Sequence, residues 1–266
     1  MSHVRLVTAI VIALAVACGG ASASPVDTAR AFVASLSATE RAAAVTTFDD
    51  PDRRAIRYTP GRRGGLALKD MDAGTRAAAD ALLDAALSTE GRTMAGRIVE
   101  REAILGRVTG RPDYRDPDLY YLAIFGEPGA GRWGWRFEGH HLSINLTYAG
   151  GQAVSAMPLM IASNPERTDV PGAPPELLGP LVETAASASV DPAARGRLIA
   201  ALTAHAPEPL RSAYREALMA RGALSAMAET WRGFDLSGGD TALIVETNQP
   251  NHIHITFRDA RADFGG

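Results

Sequence analysis

The segment that decides the fold is 132-RWGWRFEGHHLSINLTY-148, in which apolar and polar residues alternate twice. In the first run, Trp133, Trp135 and Phe137 alternate with Gly134 and Arg136. The second run consists of Leu142, Ile144, Leu146 and Tyr148, separated by Ser143, Asn145 and Thr147. Because successive side chains of a strand point to opposite faces, this period of two predicts two strands with an apolar and a polar face each.

The regions on either side extend this pair of strands into a sheet. Further strands are expected at 120–125 and within the apolar stretch 153–161, with glycine-rich turns between them. Short successive strands joined by such turns are typical of an antiparallel meander, here over 118–161. The predicted strands outside the meander are 54–59, 241–246 and 252–257.

Helices are expected before and after the meander. The predicted helices are 25–48 in two pieces, 70–88, 92–108, 176–187, 191–204 and 209–228. Ser37 and Glu40 form a capping box, and Gly91 is interpreted as the glycine that ends one helix before the next. The sequence therefore predicts an α+β fold in one domain, 25–266, in which helices pack on one side of an antiparallel sheet.

Composition excludes several classes of protein. The chain has 266 residues, of which 46% are hydrophobic and 21% charged, as in ordinary globular proteins. A formal net charge of −3 provides no basic excess for nucleic acid, so no nucleic-acid partner is expected. The single cysteine, Cys18, excludes a disulfide framework and a cysteine-rich metal site.

The first 23 residues are typical of a secretory signal peptide. Arg5 precedes a continuous apolar run, and Ala21-Ser22-Ala23 fits the small-residue cleavage rule. The residues around Cys18 also resemble a bacterial lipoprotein signal, in which the cysteine is acylated. We therefore expect an exported protein, either periplasmic, secreted or anchored in the envelope, whose only membrane contact would be a lipid at Cys18.

Histidines outside the signal peptide fall mainly into two clusters, at 140–141 and 252–254. His252 and His254 are two residues apart, so on a strand they point to the same face. His141 has the parity of the polar residues of its own strand, and three imidazoles would converge if the two strands were neighbours. Neutral imidazoles are common ligands of transition metals, so His141, His252 and His254 are predicted to bind zinc, copper or iron.

Residues near the two clusters offer further chemistry. Glu138 is the first candidate for a general base, and His140 is a candidate ligand or transition-state donor in a metal-dependent hydrolase. Glu246 and Asp259 are further carboxylates at the C-terminal strands.

Two alternatives without a metal remain open at this stage. Ser143 and Asn145 would form, with the histidines, a polar pocket for a small molecule or a peptide in a non-enzymatic envelope binding module. The other alternative is a metal-independent acid–base enzyme that uses a His–Glu pair.

Three motifs resemble a bacterial family catalogued as domain of unknown function 3500. They are the stretch from Phe48-Asp49-Asp50 to Gly64-Gly65-Leu66, the stretch Trp135 to Asn145 with its Gly-His-His-Leu-Ser core, and the ending Asn251-His252-Ile253-His254 with Asp263-Phe264-Gly265. Their order and spacing cover about 30 to 265. The resemblance implies that both histidine clusters belong to one unit, and it implies no activity.

Overall fold

A computed structural model describes residues 23–170, 173, 176–178, 192–219, 225–226, 232–235, 241–249, 251–259, 261 and 263–265. The predicted signal peptide with Cys18 and most of the predicted helix 176–187 lie outside these residues. Among the described residues, no helix has the length and apolar character needed to cross a membrane.

One mixed sheet organises the described chain. Its strands are β1 (Val45–Thr46), β2 (Leu66–Ala67), β3 (Tyr121–Phe125), β4 (Arg132–Gly139), β5 (Leu142–Ala149), β6 (Gln152–Ser155), β7 (Leu159–Ser163), β8 (Ser225–Ala226), β9 (Arg232–Asp235), β10 (Thr241–Gln249) and β11 (His252–Asp259). The order is β1-β3-β4-β5-β7-β11-β10-β9-β8, with β2 paired to β3 and β6 to β5. β1 and β3 are parallel and the other pairs are antiparallel. The predicted α+β fold, with its meander and C-terminal strands, is confirmed.

The first four helices begin where the sequence provides a capping side chain. Their bounds are α1 (Pro25–Ser35), α2 (Ala38–Ala44), α3 (Ala73–Ala86), α4 (Thr89–Thr109), α5 (Pro192–Thr203) and α6 (Leu210–Met219), with short 3-10 turns at Pro51–Arg54, Leu68–Asp70 and Asp263–Gly265. The predicted capping box of Ser37 and Glu40 is present at the start of α2. Asp72 and Ser88 cap α3 and α4 by accepting backbone N–H groups.

The two faces of the sheet are covered differently. Register pairs Trp135 with Leu146 and Phe137 with Ile144, so these side chains share the apolar face of the core. Helices α3 and α4 pack on this face, where Leu83 and Phe137 belong to one buried core and Val99 packs against it. The opposite, polar face is also buried, because the segment between α2 and β2 lies across it and contributes Asp52, Arg57, Tyr58 and Arg63 to contacts with the sheet.

Four local predictions are wrong. Two concern helix ends: Val45–Thr46, at the end of the predicted helical segment 25–48, form β1, and Ser225–Ala226, at the end of the predicted helix 209–228, form β8. Residues 55–59 form no strand. They follow a 3-10 turn, and the end of the segment is hydrogen-bonded to a side chain rather than to a neighbouring strand. Arg63 donates to the carbonyl oxygens of Thr59 and Gly61. Gly91 does not end a helix but lies in the first turn of α4. A Cβ there would lie 2.7 Å from the Cα of His205, so a glycine is needed for this close approach.

Candidate metal centre

The turn between β4 and β5 presents two adjacent histidines. His141 has a φ of 66°, in the left-handed region that residues other than glycine rarely adopt. Just before it, Gly139 lets the Tyr120 ring pack against the backbone, since a Cβ at position 139 would lie 2.5 Å from that ring. The Tyr120 hydroxyl donates to the carbonyl oxygen of His140 at 2.6 Å, and this hydrogen bond holds the turn in place.

The other two histidines lie on β11, two residues apart as their parity predicts. β11 is not the neighbour of β5, because β7 lies between them. Ala162 of β7 pairs in register with His254, and its N–H donates to the carbonyl oxygen of His141 at 2.7 Å. The side chains of Ala162 and His254 point to the same face of the sheet. Because the Ala162 side chain is small, the imidazole of His141 and the imidazoles of β11 can meet over β7.

Three imidazoles converge at this point. Nε2 of His252 lies 3.1 Å from Nε2 of His141 and 2.7 Å from Nε2 of His254. All three ligand atoms lie within 4.8 Å of one another. Two nitrogens bound to one zinc ion at about 2.0–2.1 Å are about 3 Å apart, so this triad could hold a metal ion.

The protein keeps these imidazoles neutral. Burial, reinforced by the neighbouring histidines, lowers the pKa of His141 well below its usual value. Burial and the charge of His254 lower the pKa of His252 to about 4, and burial also lowers the pKa of His254. Neutral imidazoles carry the lone pairs that a metal requires, so the triad is ready to bind one at neutral pH.

A carboxylate that the sequence analysis missed lies beside the triad. Glu102 of α4 is 2% exposed, and its Oε2 lies 2.6 Å from Nδ1 of His140. Because a carboxylate only accepts, this bond fixes the proton of His140 on Nδ1 and leaves Nε2 as an acceptor. Nη1 of Arg115 lies close to both ring nitrogens of His140, 2.8 Å from Nδ1 and 3.0 Å from Nε2, and 3.5 Å from Oε1 of Glu102.

Glu102, His140 and His141 form a second group whose atoms could hold a metal ion. Within this group, Oε2 of Glu102 and Nδ1 of His140 are directly hydrogen-bonded at 2.6 Å. His140 and His141 are in contact, with their ring centroids 3.5 Å apart. The Glu102–His140 pair therefore supports the triad from the side of α4.

Glu138, the first candidate for a general base, is placed elsewhere. Its carboxylate lies 2.8 Å from Arg136 and 3.7 Å from both Arg57 and Arg63. Glu138 belongs to neither group of converging ligand atoms found among the described residues. Burial raises the pKa of Glu138 above its usual value, although the three guanidinium groups around the carboxylate oppose this shift, and its role as a general base stays a prediction.

Ser143 and Asn145 are buried below the triad. The Asn145 amide donates to Oγ of Ser143 at 3.1 Å and to the carbonyl oxygen of Pro158 at 2.9 Å. Their role in ligand binding stays a prediction, and both side chains have hydrogen-bond partners inside the protein. β10 pairs Glu246 with His254, but the side chains of Glu246 and Asp259 lie outside what the structure describes.

Comparison with known proteins identifies the family. A family model described as "Protein of unknown function (DUF3500)" matches residues 19–216, about three quarters of the chain. The chain belongs to the DUF3500 family. The DUF3500 match includes Glu102, Arg115 and the two histidines of the β4–β5 turn, whereas His252 and His254 lie beyond its end. No curated protein and no solved structure matches the chain.

Proposed function

We propose that this DUF3500 protein is an exported metal-dependent hydrolase whose divalent transition metal is bound by His141, His252 and His254. The convergence of three Nε2 atoms on one point carries this proposal. Export rests on the signal peptide that the sequence predicts in residues 1–23.

Hydrogen bonding alone does not account for this convergence. Each ring nitrogen of a neutral imidazole carries either one hydrogen or one lone pair. Nε2 of His252 lies within hydrogen-bond distance of both His141 and His254, and with one hydrogen or one lone pair it would serve both only through a weaker three-centre bond. A metal ion at the common centre would take one lone pair from each of the three nitrogens and satisfy all of them at once.

The ligand set favours zinc, copper or iron over magnesium or calcium. Imidazole nitrogen suits borderline transition metals, whereas the harder cations prefer oxygen ligands. Three protein ligands leave one coordination position open, as is usual in catalytic zinc sites. When bound, such a metal supplies a Lewis acid that polarises a substrate oxygen and lowers the pKa of water.

The surrounding residues serve that chemistry by holding the ligands in place. Glu102 fixes the ring and tautomer of His140, and His140 packs on His141. Tyr58 stacks on His254 from the opposite side, with the ring centroids 6.1 Å apart. His141 and His254 are thus each braced by an aromatic ring, which limits their motion when the metal or the substrate binds.

Metal analysis tests the proposed site. We expect purified protein to bind about one equivalent of zinc, and a double variant, His252→Ala with His254→Ala, to bind almost none. A matched control is His205→Gln, because His205 lies on the apolar side of the sheet beside Leu142 and Ile144. Equal, substoichiometric metal in the wild-type protein and the double variant would overturn the proposal.

Turnover tests the hydrolase assignment separately. We expect the zinc-loaded protein to hydrolyse activated esters or phosphodiesters, with activity that is lost in chelator and restored by added metal. A protein that binds zinc stoichiometrically but shows no metal-dependent turnover across such a panel would contradict hydrolysis and leave a metal-binding module.

A further inference from the structure

Arg115 is held at the edge of the histidine site by close packing against α4. It lies in the connection between α4 and β3, over Gly106, which is one turn after Glu102. A Cβ at Gly106 would lie 3.1 Å from both the Cβ of Arg115 and the Cα of Pro112. The absence of a side chain at Gly106 thus lets this connection approach the helix and brings the guanidinium to the imidazoles.

The guanidinium of Arg115 has donor capacity that the described protein does not use. Nη1 contacts His140 and Glu102, whereas Nε is buried and has no hydrogen-bond partner among the described residues. Leaving a buried donor unpaired costs free energy, and such groups call for a physical explanation. An oxygen atom of a bound ligand would satisfy this N–H.

The electrostatic surroundings favour a negative ligand. Glu102 is a carboxylate in contact with Arg115, and the three proposed ligands are imidazoles, which bring no negative charge, so a divalent metal would leave the centre with a net positive charge. This positive region stands out on a chain whose formal net charge is −3.

We infer that the substrate carries an anionic oxygen group, a carboxylate or a phosphate, that Arg115 binds while the bond to be hydrolysed lies at the metal. This inference rests on the proposed function, because it needs the metal at His141, His252 and His254. A guanidinium binds carboxylate and phosphate oxygens through charge-assisted hydrogen bonds, which are stronger than neutral ones. Arg115 would then be a binding residue that sets the substrate class.

Anion binding to the cobalt-loaded protein provides a test without any substrate. Cobalt(II) bound by three imidazoles gives visible absorption that changes when a ligand enters the open position or the water around it is rearranged. We would titrate acetate and inorganic phosphate separately at constant ionic strength, with chloride as the reference anion. The two titrations distinguish a carboxylate site from a phosphate site.

Two variants at Arg115 and one control test whether the guanidinium of Arg115, rather than a positive charge alone, binds the anion. We expect Arg115→Gln to weaken binding of the preferred anion by about tenfold to 100-fold, the loss expected for a charge-assisted hydrogen bond. Arg115→Lys should show a smaller loss, because it keeps the charge without Nε. Arg107→Gln should bind as the wild type does, since Arg107 is exposed in the last turn of α4.

The outcomes distinguish this inference from the proposed function. If wild-type protein gives no cobalt spectrum, the metal site is wrong and the inference falls with it. If cobalt binds but neither anion does better than chloride, or if Arg115→Gln binds the anion as tightly as wild type, the metal site stands and the role of Arg115 is overturned.

Discussion

Glu102→Gln is the substitution that most directly tests how the protein supports its histidines. The Glu102 carboxylate is buried on α4 and bonds Nδ1 of His140 at 2.6 Å, with Arg115 3.5 Å away. Glutamine has nearly the same shape and its carbonyl oxygen still accepts from Nδ1. The substitution therefore removes the charge and leaves the packing in place.

The expected loss of stability follows from these two contacts. A hydrogen bond to a charged group contributes about 1.5–3 kcal/mol and is roughly twice as strong as a neutral one, so glutamine forfeits about 1 kcal/mol at His140. The attraction between Glu102 and Arg115 is about 5 kcal/mol at an effective dielectric constant of about 20. Arg115 is 18% exposed. Relief of the carboxylate's desolvation offsets most of that attraction. A net loss of about 2 kcal/mol is expected.

Thermal unfolding of the metal-free protein in chelator measures this loss. For a chain of this size, 1 kcal/mol corresponds to about 2–4 °C, so Tm should fall by about 4–8 °C. Glu100→Gln is the matched control, because it makes the same change at an exposed position of the same helix. A Glu102→Gln protein that unfolds within about 1 °C of wild type would refute the reasoning.

Three further predictions concern other parts of the molecule. Gly91→Ala should lower the free energy of unfolding in urea by about 1–3 kcal/mol, because its Cβ would clash with the backbone of His205. Gly96→Ala on the same helix should raise it by up to about 1 kcal/mol, because a Cβ there meets nothing within 4 Å. Similar values for both variants would contradict this packing. The metal-free protein should lose stability as pH falls from about 6.5 to about 4. Imidazoles of the unfolded chain take up protons at about pH 6.5, whereas burial holds the pKa of His252 in the folded protein at about 4. A Tm that is constant over this pH range would contradict this prediction. Ala162→Leu should lower zinc affinity by about tenfold or more in a competition titration, because the larger side chain separates the imidazoles beside His254, and an unchanged affinity would show that they do not meet there.

Much of the fold follows from local periodicity. A period of two along 132–148 predicts β4 and β5 because the strand backbone fixes the face of each side chain regardless of distant contacts. The same rule placed His252 and His254 on one face. Capping residues such as Ser37 predict helix starts for a similar reason, since their partner is only a few residues away.

The parts of the site that local reasoning missed depend on distant contacts. Glu102 meets His140 across the chain, and no local pattern distinguishes it from the other charged residues of α4. The sequence also gives no sign that Glu138, the predicted general base, lies beside Arg57, Arg63 and Arg136 on the polar face. The meeting of His141 with β11 across an intervening strand depends on sheet order, which a single sequence does not reveal.

X-ray absorption at the zinc edge of protein loaded with one equivalent of zinc tests the central claim most directly. The account predicts three imidazole nitrogens at about 2.0–2.1 Å and one further ligand, a water oxygen. In His254→Ala the count of imidazoles should fall to two. A spectrum with one imidazole or none in the wild type, or the same spectrum in His254→Ala, would contradict a metal centre built from His141, His252 and His254.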